Sequence, residues 1–296
     1  MTVKHWINKN TSSLRGKTVA VVGATGGIGS KVCMQLALLG ADIIFLGRNK
    51  CKSDSLKKSI TEKYPDTNIR CIRLDLGDME SVKSAVGELA ACKVDILILC
   101  AGLYAVSRER GGKKKFNQVF GVNFASQYCF VKLMLPCLRE HRSKVVAVGS
   151  IAHRFCTADE NDIDFSRKRC TDAVVYGNAK RYMMFSLIGL LKEEKDISFS
   201  LVHPGISFTG ITSHYPVALQ RLIKLPMKLL FISPSKAALN VIAGIFKGVG
   251  NDEWIGPSVF GIWGYPKKQK LRPIDEHEYK FINDTAERIA AGSDIT

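Results

Sequence analysis

The chain has 296 residues, of which 46% are hydrophobic and 24% charged, so it can bury one large core. Its 43 lysines and arginines exceed its 27 acidic residues, and the net charge of +16 makes nucleic acid a partner to consider. The basic residues are scattered and are not interleaved with aromatic residues, so we expect no nucleic-acid partner. A solvated surface that also favours phosphate-bearing ligands is expected instead.

Neither a membrane-spanning helix nor a secretion signal is predicted. No run of about 18 uncharged apolar residues occurs, and residues 1–15 are polar. The nine cysteines have no regular spacing and fall mostly inside apolar runs, as at Cys33, Cys100, Cys129 and Cys137. We therefore expect reduced cysteines, no disulfide framework, no metal site and a cytoplasmic location.

The organised part of the chain is predicted to begin at Lys17 with a strand, a glycine-rich turn and a helix. Residues 18–22 form a short β-branched run, and residues 30–40 have helical apolar spacing. Gly23, Gly27 and Gly29 lie between them and would let the backbone approach a pyrophosphate at the positive end of the helix. A plain tight turn is the alternative, but this context favours a dinucleotide site.

The second predicted strand, residues 42–46, is followed closely by Arg48. The residue at this point faces the adenosine ribose of a bound dinucleotide. An acidic residue there would bind the 2′-hydroxyl of NAD, whereas an arginine accommodates the 2′-phosphate of NADP. We therefore expect NADP(H) to be favoured over NAD(H), with a solvent-facing arginine as the alternative.

Strands and helices continue to alternate through the middle of the chain. The prediction gives, in order, helix 52–64, strand 69–74, helix 79–91, strand 94–100, helix 114–141 and strand 144–148. This alternation predicts an α/β fold, a Rossmann-type doubly wound parallel sheet with helices on both faces. We expect a single three-layer domain over residues 1–296, with its core at about 15–260.

Tyr176 and Lys180 lie four residues apart in a further predicted helix, 174–194, and therefore on one helix face. A phenol has a pKa of about 10. At about 4 Å and an effective dielectric of about 20, a fixed ammonium would favour the phenolate by about 4 kcal/mol, or about 3 pKa units. Such a pair could give a proton to a carbonyl oxygen or take one from an alcohol. The same spacing also occurs where a half-buried tyrosine lies beside a solvated lysine.

Seven short motifs, in order from residue 17 to about residue 256, resemble those of the short-chain dehydrogenase/reductase family. They are Gly23-x-x-x-Gly27-x-Gly29, Asp75, Ala101-Gly102, Asn123, Ser150, Tyr176-x-x-x-Lys180 and Pro204-Gly205. Two positions depart from the family pattern. Val22 replaces a threonine that often precedes the first glycine, and Leu99-Cys100 replaces a common Asn-Asn pair. Both departures lie at positions that support the cofactor rather than at the reacting centre.

Within the family, the sequence is most similar to the retinol-dehydrogenase-like members. Ser150 and Tyr176 are 26 residues apart, which is longer than in compact members, and residues 161–165 lie in the insertion. The tripeptide His203-Pro204-Gly205 also fits that group.

The resemblance implies a catalytic tetrad of Asn123, Ser150, Tyr176 and Lys180. Tyr176 would be the general acid/base, and Ser150 would hold the substrate oxygen. Lys180 would lower the tyrosine pKa and bind the nicotinamide ribose, while Asn123 would anchor a water in a proton relay. The residues expected to contact the cofactor are Gly23, Thr25, Gly27, Ile28, Gly29, Arg48, Asn49, Asp75, Leu76, Ala101, Gly102, Asn123, Tyr176, Lys180, Pro204, Gly205, Ile206 and Thr209.

No further motif occurs beyond Thr209. Residues 211–232 are apolar with interspersed basic residues, and in this family that position is usually a lid over the substrate, here about 206–232. A basic amphipathic stretch on a membrane surface and a plain core helix are the alternatives. A helix is predicted to open at Ser233, with the last strand beginning at Trp254. The charged tail, residues 265–296, would close over the site or remain at the surface.

The sequence therefore predicts an NADP(H)-dependent oxidoreductase that interconverts a carbonyl and an alcohol on a bulky apolar molecule, such as a retinoid, a steroid or an aromatic ketone. A regulatory protein that binds the dinucleotide without turnover is a second hypothesis, although it would not need Tyr176 and Lys180 together. An NADP-linked epimerase or dehydratase is a third, but the roughly 90 residues after Pro204 are few for its substrate domain. The resemblance also implies a homodimer or homotetramer, formed through helices 114–141 and 174–194, and allows peripheral membrane contact.

Overall fold

The structure is a computed structural model and describes residues 1–104, 116–206 and 232–292. In these residues one sheet contains the strands β1 Thr18–Val22, β2 Asp42–Gly47, β3 Ile69–Arg73, β4 Ile96–Leu99, β5 Lys144–Val148, β6 Ser198–Val202, β7 Glu253–Val259 and β8 Trp263–Lys270. The strand order is β3-β2-β1-β4-β5-β6-β7-β8. All neighbouring pairs are parallel except β7 and β8. The predicted doubly wound α/β fold is confirmed.

Helices cover both faces of this sheet. They are α1 Val3–Asn10, α2 Gly29–Leu38, α3 Lys50–Thr61, α4 Met79–Ala90, α5 Gln118–Phe120, α6 Ser126–Glu140, α7 Asp172–Leu191, α8 Pro234–Phe246 and α9 Glu276–Ala290. One core cluster packs the sheet against α4, α6, α7 and α9, and the other packs it against α1, α2, α3 and α8. Successive residues of β1 alternate between the two clusters, because side chains of a strand point to opposite faces. Burial on both faces explains the continuous apolar runs of the central strands.

The N-terminus differs from the prediction. The organised part of the chain does not begin at Lys17, because residues 3–10 already form α1, with Trp6 and Ile7 buried. The Thr2 side chain caps this helix by accepting a hydrogen bond from the backbone N–H of His5. A helix of two turns with two buried apolar residues gives little periodicity, which is why the sequence pattern did not reveal it.

The C-terminal residues also form more regular structure than predicted. The strand that contains Trp254 is not the last one, since β8 pairs with β7 in antiparallel orientation. The tail then continues into α9, which packs on α6 and α7. The sequence pattern did not reveal β8 because its three lysines make it as polar as a surface tail. Lysines are common on edge strands, since they oppose edge-to-edge pairing with another sheet.

Two of the predicted segments, helix 114–141 and the lid 206–232, lie between these ends. The predicted helix 114–141 begins only at Gln118, where the Asn117 side chain caps it by accepting a hydrogen bond from Phe120 N–H. A π-helical turn, Gly121–Ala125, then separates α5 from α6. Thr209 and residues 211–231 of the predicted lid lie outside the described residues. At the boundaries of this segment, Ile232 N–H donates to the Ile206 carbonyl at 3.0 Å.

Within residues 1–104, 116–206 and 232–292, none of the helices has the length and apolar character needed to span a membrane. All nine cysteines are free thiols.

A buried ion pair connects α9 to α7. The Arg181 guanidinium donates to both carboxylate oxygens of Glu278, and the two side chains are only 9% and 7% exposed. Glu278 also accepts a hydrogen bond from Ala158 N–H at 2.6 Å, while Arg181 donates to the His153 carbonyl at 2.9 Å. The pair therefore links α9 both to α7 and to the segment that follows β5.

Glu278→Ala should lower the free energy of unfolding by about 3–5 kcal/mol, because it leaves the Arg181 charge buried and unpaired. Urea denaturation measures this loss. Glu194→Ala is the matched control, since its partner Arg139 is 49% exposed and such pairs contribute about 1 kcal/mol or less. Similar losses in the two variants would contradict this role of Glu278.

Candidate active site

The carboxyl ends of the parallel strands bring the predicted site residues to one edge of the sheet. The strand order reverses between β1 and β4, which is where doubly wound sheets form a ligand-binding crevice. Gly23 directly follows the last residue of β1. Two positions after the last residues of β4, β5 and β6 lie Ala101, Ser150 and Pro204, respectively. The sequence separates these residues widely, and parallel pairing places them side by side.

The glycine-rich turn packs too closely for side chains. Gly23 has a φ of +81°, and a Cβ there would lie 2.7 Å from the backbone of Ala101. A Cβ on Gly29 would lie 2.2 Å from the Gly23 carbonyl oxygen. Ile28 occupies the N-cap of α2, and no side chain of the described residues caps this helix. The N-terminus of α2 therefore has no side-chain cap among the described residues, which suits a pyrophosphate.

Thr25 and Gly27 complete this turn. The Thr25 hydroxyl oxygen lies 3.7 Å from the position of a Cβ on Gly47, so Thr25 borders the end of β2. The Gly27 carbonyl accepts a hydrogen bond from the Ser30 hydroxyl at 3.3 Å. Both residues lie in the turn between β1 and α2, and their contacts with the cofactor stay predictions.

The residues expected near the adenosine have different roles in the fold. Arg48 is exposed at the end of β2, where it can meet a ligand. The Asn49 side chain caps α3 by accepting a hydrogen bond from a backbone N–H, and Asp75 Oδ1 accepts one from Gly77 N–H at 2.9 Å. Leu76 is 7% exposed and belongs to the core. Of these four, Arg48 is the one with an exposed, charged side chain.

Asn123 lies in the π-helical turn and is fully buried. Its Oδ1 accepts a hydrogen bond from Leu103 N–H at 2.7 Å, and its Nδ2 donates to the Leu103 carbonyl at 2.8 Å. The amide thus holds the segment after β4, including Gly102, against the start of α6. A π-helical turn is frequent at functional sites. The water that Asn123 would anchor stays a prediction.

Lys180 is buried beneath the site, at 2% exposure. Its Nζ donates to the carbonyl of Val148, the last residue of β5, at 2.9 Å. A Cβ on Gly102 would lie 4.0 Å from this nitrogen, so that Gly102 leaves space above it. Burial lowers the pKa of Lys180 to about 8, because the charged form loses hydration.

Tyr176 lies one turn before Lys180 on α7 and is half-buried. Lys180 Nζ is 5.9 Å from the centroid of its ring, and the Tyr104 ring packs edge-on at 5.4 Å. Burial raises the pKa of Tyr176 to about 12, although its hydrogen bond with Ser150 acts in the opposite direction. The pKa of Tyr176 therefore lies above its ordinary value rather than below it, and the role of Lys180 in lowering it stays a prediction. The loss of phenolate hydration dominates, and the same burial disfavours the lysine charge.

Ser150 and Tyr176 are brought together by a glycine that the sequence analysis did not single out. Ser150 begins a 3₁₀ turn, Ile151–Phe155, and its hydroxyl accepts a hydrogen bond from Ala152 N–H at 3.2 Å. A Cβ on Gly177 would lie 2.2 Å from the Ala152 carbonyl oxygen. Any larger residue would push α7 away from Ser150. The glycine directly after Tyr176 was the available signal.

Two buried histidines support the loops of the site. His153 Nδ1 lies 2.7 Å from the Ser150 carbonyl oxygen, and Gly205 N–H donates to His203 Nδ1 at 3.1 Å. The Trp254 ring stacks on His203 at 4.3 Å and meets His153 edge-on at 5.4 Å. Burial lowers the pKa of His153 to about 4 and that of His203 to about 3, so both are neutral and act as structural supports.

The residues after β6 complete the edge. Pro204 is buried, whereas Gly205 and Ile206 are half-buried at the crevice. Gly205 has a φ of +78°, which favours glycine. Ser150, Tyr176, Lys180 and Asn123 thus converge as predicted for a tetrad, although their roles in catalysis stay predictions.

Comparison with known proteins identifies the family. Residues 17–159 match the family model described as short chain dehydrogenase. Uncharacterized oxidoreductase C736.13 of Schizosaccharomyces pombe is 31% identical over 251 residues, which covers 79% of this chain and 73% of the relative. The chain belongs to the short-chain dehydrogenase/reductase family.

This short-chain dehydrogenase/reductase is also similar to a polyprenol dehydrogenase and a retinol dehydrogenase. Human polyprenol dehydrogenase is 27% identical over 232 residues, covering 75% of this chain and 70% of the relative. Human retinol dehydrogenase 13 is 26% identical over 211 residues, covering 69% of this chain and 62% of the relative. The chain is therefore an oxidoreductase of this family, similar to its retinol-dehydrogenase-like members.

Solved structures confirm the fold. A crystal structure of an uncharacterized protein from Mycobacterium paratuberculosis has a TM-score of 0.73 at 21% identity and covers 95% of both chains. An alcohol dehydrogenase from the archaeon Thermococcus sibiricus, complexed with 5-hydroxy-NADP, has a TM-score of 0.62 at 17% identity. That match covers 88% of this chain and 99% of the archaeal one. The glycine-rich turn, with no room for a Cβ and with uncapped N–H groups, fits the NAD(P) dinucleotide of this family.

Lys180→Met should make the enzyme more stable at neutral pH and less stable at pH 10.5. The pKa of Lys180 is about 8 in the folded chain against an ordinary 10.5, so the unfolded chain binds more protons between these values. The free energy of unfolding of the wild type therefore rises as the pH increases from about 8 to 10.5. Below about pH 8 it is lowered by the full cost of burying the charge. This cost is about 3 kcal/mol at 1.36 kcal/mol per unit, against about 1 kcal/mol for the bond to Val148.

Urea denaturation of the wild type and of Lys180→Met across this pH range measures the pH at which their free energies of unfolding are equal. A difference in stability that does not change with pH would show that the Lys180 ammonium carries no burial penalty.

Proposed function

We propose that this enzyme interconverts a carbonyl and an alcohol on a bulky apolar molecule, such as a retinoid, a steroid or an aromatic ketone. NADP(H) is the favoured cofactor, and Tyr176 is the general acid/base. The observation that carries the proposal is the position of Tyr176, which lies beside Ser150 at the carboxyl edge of the sheet and one helical turn before the buried Lys180 ammonium.

The two hydroxyl groups can share the substrate oxygen. With a pKa of about 12, Tyr176 is protonated at neutral pH and can donate its proton as negative charge develops on a carbonyl oxygen. Ser150 donates a second hydrogen bond to the same oxygen and stabilises that charge. The bound nicotinamide cofactor supplies or accepts the hydride. In the direction of alcohol oxidation, Tyr176 must first be a phenolate, so that direction is favoured by high pH.

Lys180 would stabilise the phenolate that remains after proton transfer. Its Nζ lies 5.9 Å from the centre of the Tyr176 ring, and Lys180 itself is buried at 2% exposure. Charge interactions are stronger there than in water. Its hydrogen bond to Val148 fixes the ammonium in position, so no reorganisation is needed when the charge appears.

The apolar character of the substrate rests on two observations. The Tyr104 ring lies against Tyr176 and gives the reacting hydroxyl an apolar neighbour. The relatives whose names state a substrate include a polyprenol dehydrogenase and a retinol dehydrogenase, and both names denote lipid alcohols.

Tyr176→Phe should lower NADPH-dependent reduction of an apolar ketone by about 10²–10⁴-fold, because general acid catalysis typically contributes that much. NADPH binding should be retained. Turnover is followed by the loss of NADPH absorbance, and binding by nucleotide fluorescence. In the oxidation direction the wild-type rate should rise about tenfold per pH unit up to the Lys180 pKa of about 8, where the ammonium loses its charge, and this rise should be absent in the variant.

Tyr182→Phe is the matched control on the same helix. The Tyr182 hydroxyl is buried and has no hydrogen-bond partner in the described part of the chain, so the rate should stay within about twofold of wild type. Full activity of Tyr176→Phe would contradict the proposed mechanism. Tight NADPH binding by wild type without turnover of any apolar carbonyl would instead favour the regulatory hypothesis.

Arg48→Ala should weaken NADPH binding by about 10–100-fold while changing NADH binding by less than about twofold. The reason is that a charge-assisted hydrogen bond to phosphate contributes about 1.5–3 kcal/mol, and NADH lacks the 2′-phosphate. Fluorescence titration gives both dissociation constants. Arg139→Ala, at the far end of α6, controls for the loss of a general positive charge. Equal losses for the two nucleotides would refute the role of Arg48.

A further inference from the structure

The turn between β7 and β8 lies at the same edge of the sheet as the active site. β7 is parallel to β6, so its carboxyl end lies beside the loop that contains Gly205. Ile262 N–H donates to the Val259 carbonyl at 2.9 Å and closes a four-residue turn. A Cβ on Gly205 would lie 2.7 Å from the Ile262 carbonyl oxygen and 2.9 Å from Pro257 Cγ. The turn therefore borders a loop that is expected to contact the cofactor.

Phe260 has an unfavourable backbone conformation in this turn. Its φ is +50°, and that of Gly261 is +69°. Hairpin turns in which both central residues have positive φ favour Asn-Gly or Gly-Gly, because bulky residues are strained there. The Phe260 side chain is also 87% exposed, so burial does not offset the strain. Strained residues of this kind are concentrated at functional sites.

Other exposed apolar residues lie at the same edge. Val259 is 45% exposed beside Phe260, and Phe155, which follows β5, is 56% exposed. Parallel strands lie about 4.8 Å apart, so the ends of β5 and β7 are separated by roughly 10 Å. A molecule whose oxygen is bound by Ser150 must therefore extend by on the order of 10 Å to reach Phe260.

We propose that Phe260 is a specificity-determining residue whose ring contacts the end of the substrate farthest from its oxygen. The enzyme then prefers long apolar carbonyls and alcohols to short ones. This inference rests on the proposed function. The ten residues 257–266 contain no charged side chain, so the turn suits an apolar chain.

Phe260→Asn separates this role from stability, because asparagine tolerates positive φ better than phenylalanine. The midpoint of thermal unfolding should stay equal or rise. With NADPH and a series of linear aldehydes from butanal to dodecanal, kcat/KM should fall about tenfold for dodecanal, as expected for the loss of an apolar contact, and change by less than about twofold for butanal. Phe260→Leu should retain most of the preference for dodecanal.

Leu133→Ala is the matched control, since Leu133 is 47% exposed on α6, and it should leave the whole aldehyde series unchanged. An equal loss for butanal and dodecanal in Phe260→Asn, or no loss for either, would overturn the proposal.

A binding measurement keeps this test independent of turnover. Retinol fluorescence should report a dissociation constant about tenfold higher for Phe260→Asn than for wild type or Leu133→Ala. If wild type reduces no aldehyde but shows this difference in retinol binding, the proposed reaction fails and the role of Phe260 stands. Equal retinol binding by the variants, or no retinol binding by wild type, would overturn it. An effect of Phe260→Asn on the binding of phosphatidylserine vesicles alone would also overturn the proposal, because the turn would then be a membrane contact.

Discussion

The buried ammonium of Lys180 is the interaction on which the geometry of this site depends. Its hydrogen bond to the Val148 carbonyl joins α7 to the last residue of β5. Tyr176 lies one turn earlier on the same helix, so this bond also positions the phenol at the carboxyl edge of the sheet. A buried cation is unfavourable for stability, and a shorter apolar side chain could fill the space without that penalty. Under the proposed mechanism the positive charge of this lysine would stabilise the negative charge that develops on Tyr176 and on the substrate oxygen.

The segment after β5 is held from several directions, and this is what keeps Ser150 beside Tyr176. Gly177 allows α7 to approach the Ala152 carbonyl, and His153 bonds the Ser150 carbonyl. Arg181 then bonds the His153 carbonyl, and Glu278 of α9 neutralises Arg181. The C-terminal helix is thus part of the support of the active site. Because α9 lies on α6 and α7, any dimer formed through these two helices, as the family resemblance implies, would involve α9 as well.

Most of the fold and of the site could be predicted because their signals are local in the sequence. The β-branched runs, the glycine-rich turn and the Tyr-Lys spacing each report on a few neighbouring residues. The helix α1 and the strand β8 could not be predicted in this way, because one has two buried residues and the other carries the polar pattern of an edge. The capping role of Asn49 and the close approach at Gly177 depend on contacts that only the folded chain creates. Thr209 lies outside the described residues and stays a prediction.

The pKa of Tyr176 shows why a charge argument from spacing alone failed. Helical spacing placed an ammonium near the phenol, but the energy of a charge pair depends on how much hydration each partner loses. Here both are enclosed, so the pKa of Tyr176 rises to about 12 and that of Lys180 falls to about 8. His153 and His203 have pKa values of about 4 and 3, so neither changes charge near neutral pH. Among these four groups the lysine titrates closest to neutrality. The charge state of the site is therefore controlled by a buried ammonium rather than by a histidine, and under the proposed mechanism a protonated Tyr176 would favour carbonyl reduction at neutral pH.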